Sequence, residues 1–509
     1  MNDTTYHERH YIGKFVLLGE EIDGEIIHNT KTGDIFLNLA KQITQNTFLG
    51  KSYADIAIIQ GMINTGATVT LFNNRCINNH TRAFQNQRIS FSCDYFVWSG
   101  RDEKGEMFNA LECILKNAYI WSQFEIFETT ESGLKRKEKI ESKSFVWFGV
   151  NVKFSATSNE HLIMPFDDEE KMIVQRVKLS ISSDQKHTIE EFLKIVDRIV
   201  AMISFAIRGN VNISELILFD YEDSYYIGEK IENYHKHYLI RAQRELASFD
   251  SKKWDLNFTL NDMAQNMEIS AKLEKLTPVF DLYLSLFKYR DMPTEMIFLN
   301  IVQALETFHS RFFYDNKKEK YKKSIEERFS KAVIYETVKS KLWSKAQEKA
   351  GHIILESRIN DLLIGNEWGL FLELWKDNSD FVRKVVDTRN YFTHYDASKE
   401  NKSLKGECLH ESIILLSKLL EYHVCLVLGI DNRKKIRDSL DTHFSWRQLG
   451  KVQNECESNG AERKLLESLT IKVVVKECDE SSFVPDIDSP RGNKNWVPGS
   501  ASSEGRAIR

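Results

Sequence analysis

Apolar and polar residues alternate with a period of two through much of the first 183 residues. In "RISFSCDYFVW" the alternation puts five residues on one face of a predicted strand, namely Ile89, Phe91, Cys93, Tyr95 and Val97. The segments "SFVWFGVNVKFSA" and "RVKLSIS" repeat the period, and the glycine-bearing "NTKTGD" predicts a turn between two such runs. The pattern therefore predicts an antiparallel β-rich domain over residues 1–183.

At Thr188 the period changes to that of a helix. Thr188 is a predicted N-cap, Glu191 completes a capping box, and apolar residues recur at helical spacing as far as Ile207. Gly209 is the predicted end of this helix. A short strand is predicted at "SELILFDY". We assign residues 184–294 to a mixed, mostly helical connector that belongs to the N-terminal region.

From about Ser270 onward the pattern is almost entirely helical. Pro278 and Pro293 are expected to interrupt it, the second just before "TEMIFLNIVQALETFHSRFF", a long amphipathic helix. Further helices are predicted at about 324–349, 352–364, 367–377, 380–394 and 407–428. Because no repeat recurs at a fixed period, these helices predict one bundle over residues 295–430, not a solenoid.

The final segment differs from the bundle in composition. Polar and small residues dominate "FVPDIDSPRGNKNWVPGSASSEGRAIR", which predicts that the C-terminal extension, residues 431–509, is partly disordered. The predicted fold class is therefore α+β and multidomain, with an N-terminal antiparallel β-rich domain followed by an all-α helical bundle.

Composition narrows the classes of function. The chain has 509 residues, more than one hydrophobic core usually serves, and a formal net charge of -5, so any nucleic-acid contact must come from a local patch. Its seven cysteines are scattered and form no C-x-x-C pair, which argues against a disulfide framework or zinc ribbon and for a reducing, cytoplasmic location. No window is apolar enough to predict a membrane span.

Two short motifs point to a nucleotide or a metal, and both are incomplete. "LGKSY" contains the Gly-Lys-Ser of a phosphate loop, but Gln45 stands where its first glycine should be. The pairs His7/His10 and His235/His237 lack a further ligand at motif spacing. We interpret these histidines as surface residues and predict neither a metal site nor a cofactor.

The strongest basic run in the chain covers residues 316–349. Its first part carries five lysines in seven positions, Lys317, Lys318, Lys320, Lys322 and Lys323. One interpretation is a solvated helix face. The other is a wall that neutralises RNA phosphates without reading sequence.

The segment "DTRNYFTHYD" brings together three residues with chemical potential. On a helix that turns about 100° per residue, Asn390 and His394 share a face, while Arg389 and His394 are about 140° apart. Either the helix bends or ends near His394, or a second copy of the motif completes the site. The alternative is purely structural, with Arg389 on the surface, Asn390 in a local hydrogen bond and His394 capping the last turn.

The string from Arg389 to His394 resembles the R-x(4-6)-H motif of the HEPN superfamily, whose active members often carry Asn after the arginine. "FLNIVQALETFHSRFF" resembles the first helix of ApeA-like HEPN proteins, and the β-rich region resembles their N-terminal domain. The resemblance covers roughly residues 1–430. It implies a helical bundle with a metal-independent endoribonuclease site in which Arg389 and His394 are catalytic.

The resemblance also implies partners and supporting residues. Two bundles are expected to dimerise and share one RNA-cutting site, with Asn390 orienting His394 and Glu306 as a neighbour of the site. Glu306 can equally be a surface residue that pairs with Arg311 or another neighbour. We predict an effector of anti-phage abortive infection whose N-terminal domain senses a phage-derived trigger or restrains the nuclease. The alternative is a catalytically inactive HEPN-like binding or scaffold protein.

Overall fold

The computed structural model describes most of the chain as far as residue 443. The described residues are 7–40, 55–80, 88–99, 107–130, 133–137, 141–163, 170–226, 229–243, 246, 256–263, 269–289, 291–313, 319, 323, 327, 353–364 and 380–443. The predicted helices at 324–349 and 367–377 lie outside these residues, apart from position 327. The predicted disorder beyond residue 443 lies outside them as well.

The N-terminal half of the described chain is built of antiparallel strands. They are β1 (Glu8–Leu17), β2 (Glu20–Asn29), β3 (Ile35–Leu39), β4 (Asp55–Ile63), β5 (Thr68–His80), β6 (Arg88–Ser92), β7 (Tyr95–Ser99), β8 (Met107–Lys116), β9 (Phe127–Thr130), β10 (Gly133–Arg136), β11 (Ser142–Trp147), β12 (Val150–Ile163), β13 (Glu170–Thr188), β14 (Asn212–Tyr226) and β15 (Glu229–Arg241). Thirteen of them form one sheet in the order β11-β12-β13-β8-β14-β15-β7-β5-β4-β1-β2-β3-β6, and β9 and β10 pair separately. The predicted β-rich fold is confirmed.

One end of the sheet closes into a ring of six strands, because β5 pairs with β6 as well as with β4. Apolar side chains such as Phe15, Ile26 and Phe91 fill this ring and form a core of their own. The strands approach closely at Gly13, where an added Cβ would lie 2.3 Å from the carbonyl oxygen of Met62. Glycine at this position therefore lets the ring close.

The chain turns between β6 and β7, so the prediction of one strand face for residues 89–97 is wrong. Ile89 and Phe91 lie in the core of the ring, whereas Tyr95 and Val97 lie in the larger core behind the sheet. The break falls at Asp94, whose N–H donates to the carbonyl of Phe72 at 3.2 Å. Alternation alone does not reveal such a turn, because both halves keep the period of two.

Helix α2 (Ile189–Ile207) begins as predicted, and the structure contains the full capping box of Thr188 and Glu191. The helix ends one residue earlier than predicted, because Arg208 and not Gly209 adopts the left-handed conformation, with φ 51°. This conformation is uncommon for a residue with a side chain. The contacts of the Arg208 guanidinium offset that cost.

The connector contains more strand than predicted. β14 runs over fifteen residues instead of the predicted eight, and β15 returns beside it in register from Leu216↔Leu239 to Tyr226↔Glu229. Both strands belong to the thirteen-stranded sheet. The residue limits predicted for the four segments of the chain stay predictions.

The remaining elements are helical. They are α1 (Tyr119–Ser122), a 3₁₀ turn (Leu260–Asp262), α3 (Ile269–Lys288), α4 (Thr294–Phe312), α5 (Leu355–Ile364), α6 (Phe381–His394), α7 (Ala397–Glu400), α8 (Gly406–Leu428) and α9 (Arg433–His443). Pro293 precedes α4 as predicted, but α3 continues through Pro278, so that predicted interruption is wrong. Buried residues on both sides of the proline, including Leu276 and Phe280, hold α3 against its neighbours.

Helix α4 lies at the centre of the bundle and contacts α3, α5, α6 and α8. Its buried face, which includes Phe298, Ile301 and Leu305, belongs to the same hydrophobic core as α2 and the face of the sheet that α2 covers. The sheet and the bundle therefore share one core. No helix within the described ranges is long and apolar enough to cross a membrane.

Candidate active site

Helix α6 carries the Arg389–His394 segment and is anchored at both ends. Phe381 and Val385 are buried, and Phe392 packs edge-on against Phe298 of α4 at a centroid distance of 6.1 Å. The helix ends at His394 because Tyr395 adopts the left-handed conformation, with φ 50°, and donates its N–H to the carbonyl of Tyr391 at 2.6 Å. The predicted helix end is confirmed.

Thr388 fixes the other side of α6. Its side chain is completely buried, and its hydroxyl donates to the carbonyl of Lys384 at 2.7 Å and accepts from the N–H of Leu404 at 2.8 Å. Leu404 lies in the loop before α8, so one hydroxyl joins α6 to the connection that follows it. The next residue along the helix, Arg389, therefore emerges from a rigid position.

The guanidinium of Arg389 lies between two polar side chains. Its Nη2 is 3.7 Å from Oε2 of Glu306 on α4, and its Nη1 donates to Oδ1 of Asn390 at 3.2 Å. Arg389 retains 34% of its side-chain exposure and Glu306 retains 25%. The structure thus brings Arg389, Asn390 and Glu306 together and leaves the guanidinium accessible from solvent.

The contact of Asn390 differs from the prediction. Asn390 and His394 share a face of the helix, as predicted, but the amide oxygen of Asn390 accepts from Arg389 and not from the His394 ring. The long arginine side chain bends around the helix to reach its neighbour. The partner of Glu306 is Arg389 and not Arg311, which donates instead to the carbonyl of Lys275 at 3.4 Å.

His394 lies exposed on the last turn of α6. Its nearest ionic neighbour along the chain is Asp396, which caps α7 by accepting from the N–H of Ser398 at 2.9 Å. Hydrogen bonds from Ser398 lower the pKa of Asp396, and the charges of Lys399 and His394 add to this effect. The carboxylate therefore stays ionised two residues from the imidazole.

Arg389 and His394 emerge from different sides of α6. Because α6 is an uninterrupted helix from Phe381 to His394, the two side chains leave it in directions about 140° apart. The predicted alternative of a bend before His394 is therefore excluded.

The chain was compared with protein families and with known proteins. The family described as ApeA N-terminal domain 1 matches residues 10–270, and the family described as Apea-like HEPN matches residues 299–434. No curated protein and no solved structure matches. The first match alone covers more than half of the chain.

The chain belongs to the ApeA-like HEPN family.

In this ApeA-like HEPN protein, Glu306, Arg389, Asn390 and His394 all fall within the matched HEPN span. The β-rich fold followed by helices is the order of the two family matches. Family membership supports a HEPN-type effector of anti-phage defence. The catalytic roles of the four residues remain predictions.

Most of the predicted basic wall cannot be placed beside this site. Lys317, Lys318, Lys320 and Lys322 lie outside the described residues, whereas Lys323 is helical and exposed. Other lysines, which the sequence analysis did not single out, follow the motif directly. Lys402 is exposed just after α7, and Lys405 is exposed before α8.

Lys399 also follows the motif, but it is bound to the protein. Its Nζ lies 2.6 Å from Oδ1 of Asp387, a carboxylate that retains only 9% of its exposure. This ion pair holds α7 against α6. The sequence does contain a signal for these three lysines. Lys399, Lys402 and Lys405 recur every three residues in "ASKENKSLKG", which puts several cations within a short distance of His394.

Two further residues near the site were missed. Arg358 of α5 donates to the carbonyl of Glu306 at 3.1 Å and to the hydroxyl of Ser310, so it supports the helix turn that presents Glu306. Tyr395 is 71% exposed, and its ring lies 5.7 Å from that of Tyr391. An exposed aromatic ring next to His394 is a platform on which a base can stack.

A second histidine group lies inside the bundle, away from solvent. Nε2 of His309 lies 3.0 Å from Oδ2 of Asp361, and His309 is completely buried. His423 donates from Nε2 to the carbonyl of Leu362 at 2.8 Å, and burial, together with the charge of His309, lowers the pKa of His423 to about 4. These residues hold α4, α5 and α8 together and do not reach the surface.

The incomplete phosphate-loop motif and the histidine pairs have separate outcomes. All five residues of "LGKSY" lie outside the described residues, so the interpretation of this motif is untested. His10 is exposed and lies 2.7 Å from Glu25. His237 is buried against Phe108, so its interpretation as a surface residue is wrong.

Proposed function

We propose that this ApeA-like HEPN protein is a metal-independent endoribonuclease, an effector of abortive infection that cuts RNA in the cytoplasm. The observation that carries the proposal is the position of Arg389, Asn390 and His394 on the last turns of α6, inside the HEPN match. None of the three is buried, so the core does not require them. Their side chains are available for a substrate.

The three residue types suit attack by a ribose 2′-OH on the adjacent phosphorus. This reaction needs a proton acceptor for the 2′-OH, a cation for the crowded anionic transition state, and a proton for the leaving 5′-oxygen. A histidine side chain exchanges protons near neutral pH and contributes typically about 10²- to 10⁴-fold to the rate. An arginine side chain binds phosphate oxygens through its planar fork. The products are a 2′,3′-cyclic phosphate and a 5′-OH.

The angle between the two groups supports a site shared by two copies of the chain. His394 of one copy meets Arg389 of the other when the exposed ends of their α6 helices face each other. Within each copy, Glu306 and Asn390 hold the guanidinium by the contacts described above. Each supporting residue then acts through Arg389, as a positioning residue.

The surface that follows the motif supports RNA as the substrate. Lys402 is exposed and can neutralise a phosphate, and the exposed ring of Tyr395 can stack on a base. Together they extend the site from one phosphate to a short stretch of single-stranded RNA. This combination does not read sequence, so it leaves the choice among RNAs to their shape.

The N-terminal domain is proposed to sense a phage-derived trigger or to restrain the nuclease. The support is its direct connection to the bundle through a shared core and through a buried ion pair. Oε1 of Glu421 on α8 accepts from Arg208 Nε at 3.1 Å, and Oε2 accepts from Nη2 at 2.8 Å. A change at the end of α2 therefore has a short physical route to α8.

Sequencing of RNA ends after expression in bacterial cells tests this proposal. Cells that express the parent should accumulate new RNA 5′-OH ends and grow poorly. Cells that express Arg389→Ala or His394→Ala should show neither effect, whereas Arg383→Ala and His410→Ala, exposed residues of the same types, should behave like the parent. New ends in the His394→Ala cells at the parental level would contradict a catalytic role of His394, whereas no new ends in the parent cells would favour a binding or scaffold role for the bundle.

A further inference from the structure

The six-stranded ring of the N-terminal domain has an open end with unusual chemistry. Inward-facing residues of β1 and β2, such as Phe15 and Ile26, are apolar and buried deep in the ring. Toward the start of β1 the same face carries Tyr11 and then Arg9, and Arg9 lies directly opposite His28 in the β1–β2 register. The lining of the ring thus changes from apolar to cationic at its mouth.

A cavity of about 500 Å³ occupies this mouth. It extends from Arg9, Tyr11 and His28 across Trp98 to the outer face of the sheet at β8, β13 and β14. Its volume falls within the range of about 300–1,000 Å³ that is usual for small-molecule sites. The open end of a closed ring of strands is a common position for such sites.

Three aromatic rings line one side of the cavity in a row. The centroids of Tyr11 and Trp98 are 6.2 Å apart, and those of Trp98 and Tyr238 are 6.0 Å apart. Tyr238 lies opposite Trp98 in the β7–β15 register and is 49% exposed. An exposed tyrosine at the end of an aromatic row offers a planar ligand a stacking surface.

Cationic residues lie on the other sides. Leu115 and Val177 point into the core behind the sheet, so their neighbours Lys116 and Arg176 point to the opposite face, toward the cavity. Arg9 is exposed and has no carboxylate within ion-pair distance among the described residues. Arg176 pairs with Glu215 at 3.4 Å, which leaves the lining with a net positive charge.

The backbone at the cavity wall is irregular. β14 contains a bulge between Ser214 and Ile217, and Glu215 within it adopts φ 54°, an uncommon value for a residue with a side chain. Bulges of this kind often aim side chains at a functional site. Here the carboxylate of the bulged residue Glu215 lies 3.4 Å from the Arg176 guanidinium.

Two residues of the lining each carry a buried polar atom. Within the described part of the chain, Nδ1 of His28 and Oγ of Ser214 have no hydrogen-bond partner. Burial, together with the charge of Arg9, lowers the pKa of His28, so its ring stays neutral and able to accept a hydrogen bond.

We propose that this cavity binds a nucleoside triphosphate, with the base stacked on Tyr238 and Trp98 and the phosphates against Arg9 and the cations opposite. The geometry favours a mononucleotide because planar rings and cations line a single cavity of limited volume. The proposal concerns the N-terminal domain and does not depend on RNA cleavage by the bundle. It gives that domain a small-molecule ligand.

Calorimetric titration of the full chain tests the proposal. The probes are ATP, GTP, CTP and UTP, with adenosine, inorganic triphosphate and a single-stranded RNA of about ten nucleotides as comparisons. At least one nucleoside triphosphate should bind, and adenosine and triphosphate should each bind at least about tenfold more weakly, because each engages only one side of the cavity. Tyr238→Ala and Arg9→Gln should each weaken the nucleotide by about tenfold or more.

Matched variants and a second measurement keep the test decisive. Tyr289→Ala and Arg136→Gln replace exposed residues of the same types elsewhere and should bind like the parent. Thermal unfolding should show that all four variants are folded. The proposal is overturned if no nucleoside triphosphate binds at about 1 mM, if triphosphate alone binds as tightly, if Tyr238→Ala and Arg9→Gln bind normally, or if only the RNA binds.

Discussion

Glu306 and Arg389 form an ion pair between α4 and α6, with Oε2 of Glu306 3.7 Å from Nη2 of Arg389. Both side chains are partly exposed, and ion pairs of this kind contribute only about 0–1 kcal/mol to stability. The main effect of the ion pair is therefore to fix the position of the Arg389 guanidinium, not to stabilise the fold. Without Glu306, Arg389 keeps its charge but loses the contact that ties it to the central helix of the bundle.

Glu306→Gln should lower the rate of RNA cleavage by about tenfold, because a loosely held guanidinium meets the phosphate less often in the productive position. Single-turnover cleavage of a labelled RNA measures the rate. The melting temperature should stay within about 2 °C of the parent. Glu295→Gln, an exposed position on the first turn of the same helix, is the control. A parental rate for Glu306→Gln would show that Glu306 does not position Arg389.

Lys402→Ala should weaken RNA binding and reduce its dependence on salt. Lys402 is exposed after α7, and removal of one phosphate contact lowers the slope of log affinity against log salt by about 0.7 for single strands. Binding of an RNA oligonucleotide at several salt concentrations measures this slope. Lys31→Ala, an exposed lysine on the turn after β2, should leave it unchanged. An unchanged slope in Lys402→Ala would remove this residue from the RNA surface.

Elements with a strong period were predictable from the sequence. The helix at 294–312 and the capping box at Thr188 agree with the structure, because local spacing and side-chain hydrogen bonds decide them. The Arg389–His394 segment was found because it resembles a motif of the HEPN superfamily and because the polar residues after it predict a helix end. The resemblance to the family predicted Glu306 as a neighbour of the site, and the structure adds its contact with Arg389.

The features that were missed depend on distant parts of the chain. The turn at Asp94 moves Tyr95 to a different core, yet the alternating pattern continues through it. Arg208 takes the left-handed position that glycine usually takes, because Glu421, more than two hundred residues later, binds its guanidinium. Pro278 stays inside a helix because packing on both sides offsets the lost hydrogen bond. None of these contacts leaves a local signal.

Glu421→Gln should destabilise the protein by about 3–5 kcal/mol, because it leaves the charges of Arg208 and Lys418 buried without their partner. The Glu421 side chain is only 2% exposed and also accepts a hydrogen bond from the Tyr283 hydroxyl at 2.5 Å. Urea unfolding measures the loss. Glu274→Gln, which removes the exposed partner of Arg198, should cost no more than about 1 kcal/mol. Equal effects of the two substitutions would contradict a central role for the buried pair.

His423 should contribute less stability as the pH is lowered below about 6.5. Its folded pKa of about 4 lies below the ordinary value of 6.5, so the unfolded chain binds the proton first. The stabilisation is present above 6.5 and is lost as the pH falls toward 4. Between pH 7 and pH 5 the loss from this one group is about 2 kcal/mol.

Two carboxylates shape the same pH profile. Burial and the nearby Glu407 raise the pKa of Glu411 to about 7, so this group adds stability as the pH falls from 7 to 5 and offsets the loss from His423 in the parent. Burial would raise the pKa of Glu421, but Arg208 and Lys418 overcome that effect and hold it at about 2, so its stabilisation is lost only below about pH 4.5. Comparison of the parent with His423→Gln by urea unfolding at pH 7 and pH 5 isolates the histidine. The two proteins should converge at pH 5, and parallel profiles would contradict the assignment.

Cleavage of a labelled RNA by the purified full-length protein in EDTA tests the central claim most directly. The parent should cut the RNA and leave a 2′,3′-cyclic phosphate, and Arg389→Ala and His394→Ala should each cut at least about 10²-fold more slowly. Arg383→Ala and His410→Ala should cut at the parental rate. Cleavage by His394→Ala at the parental rate, or parental cleavage that stops in EDTA, would contradict a metal-independent site built on Arg389 and His394.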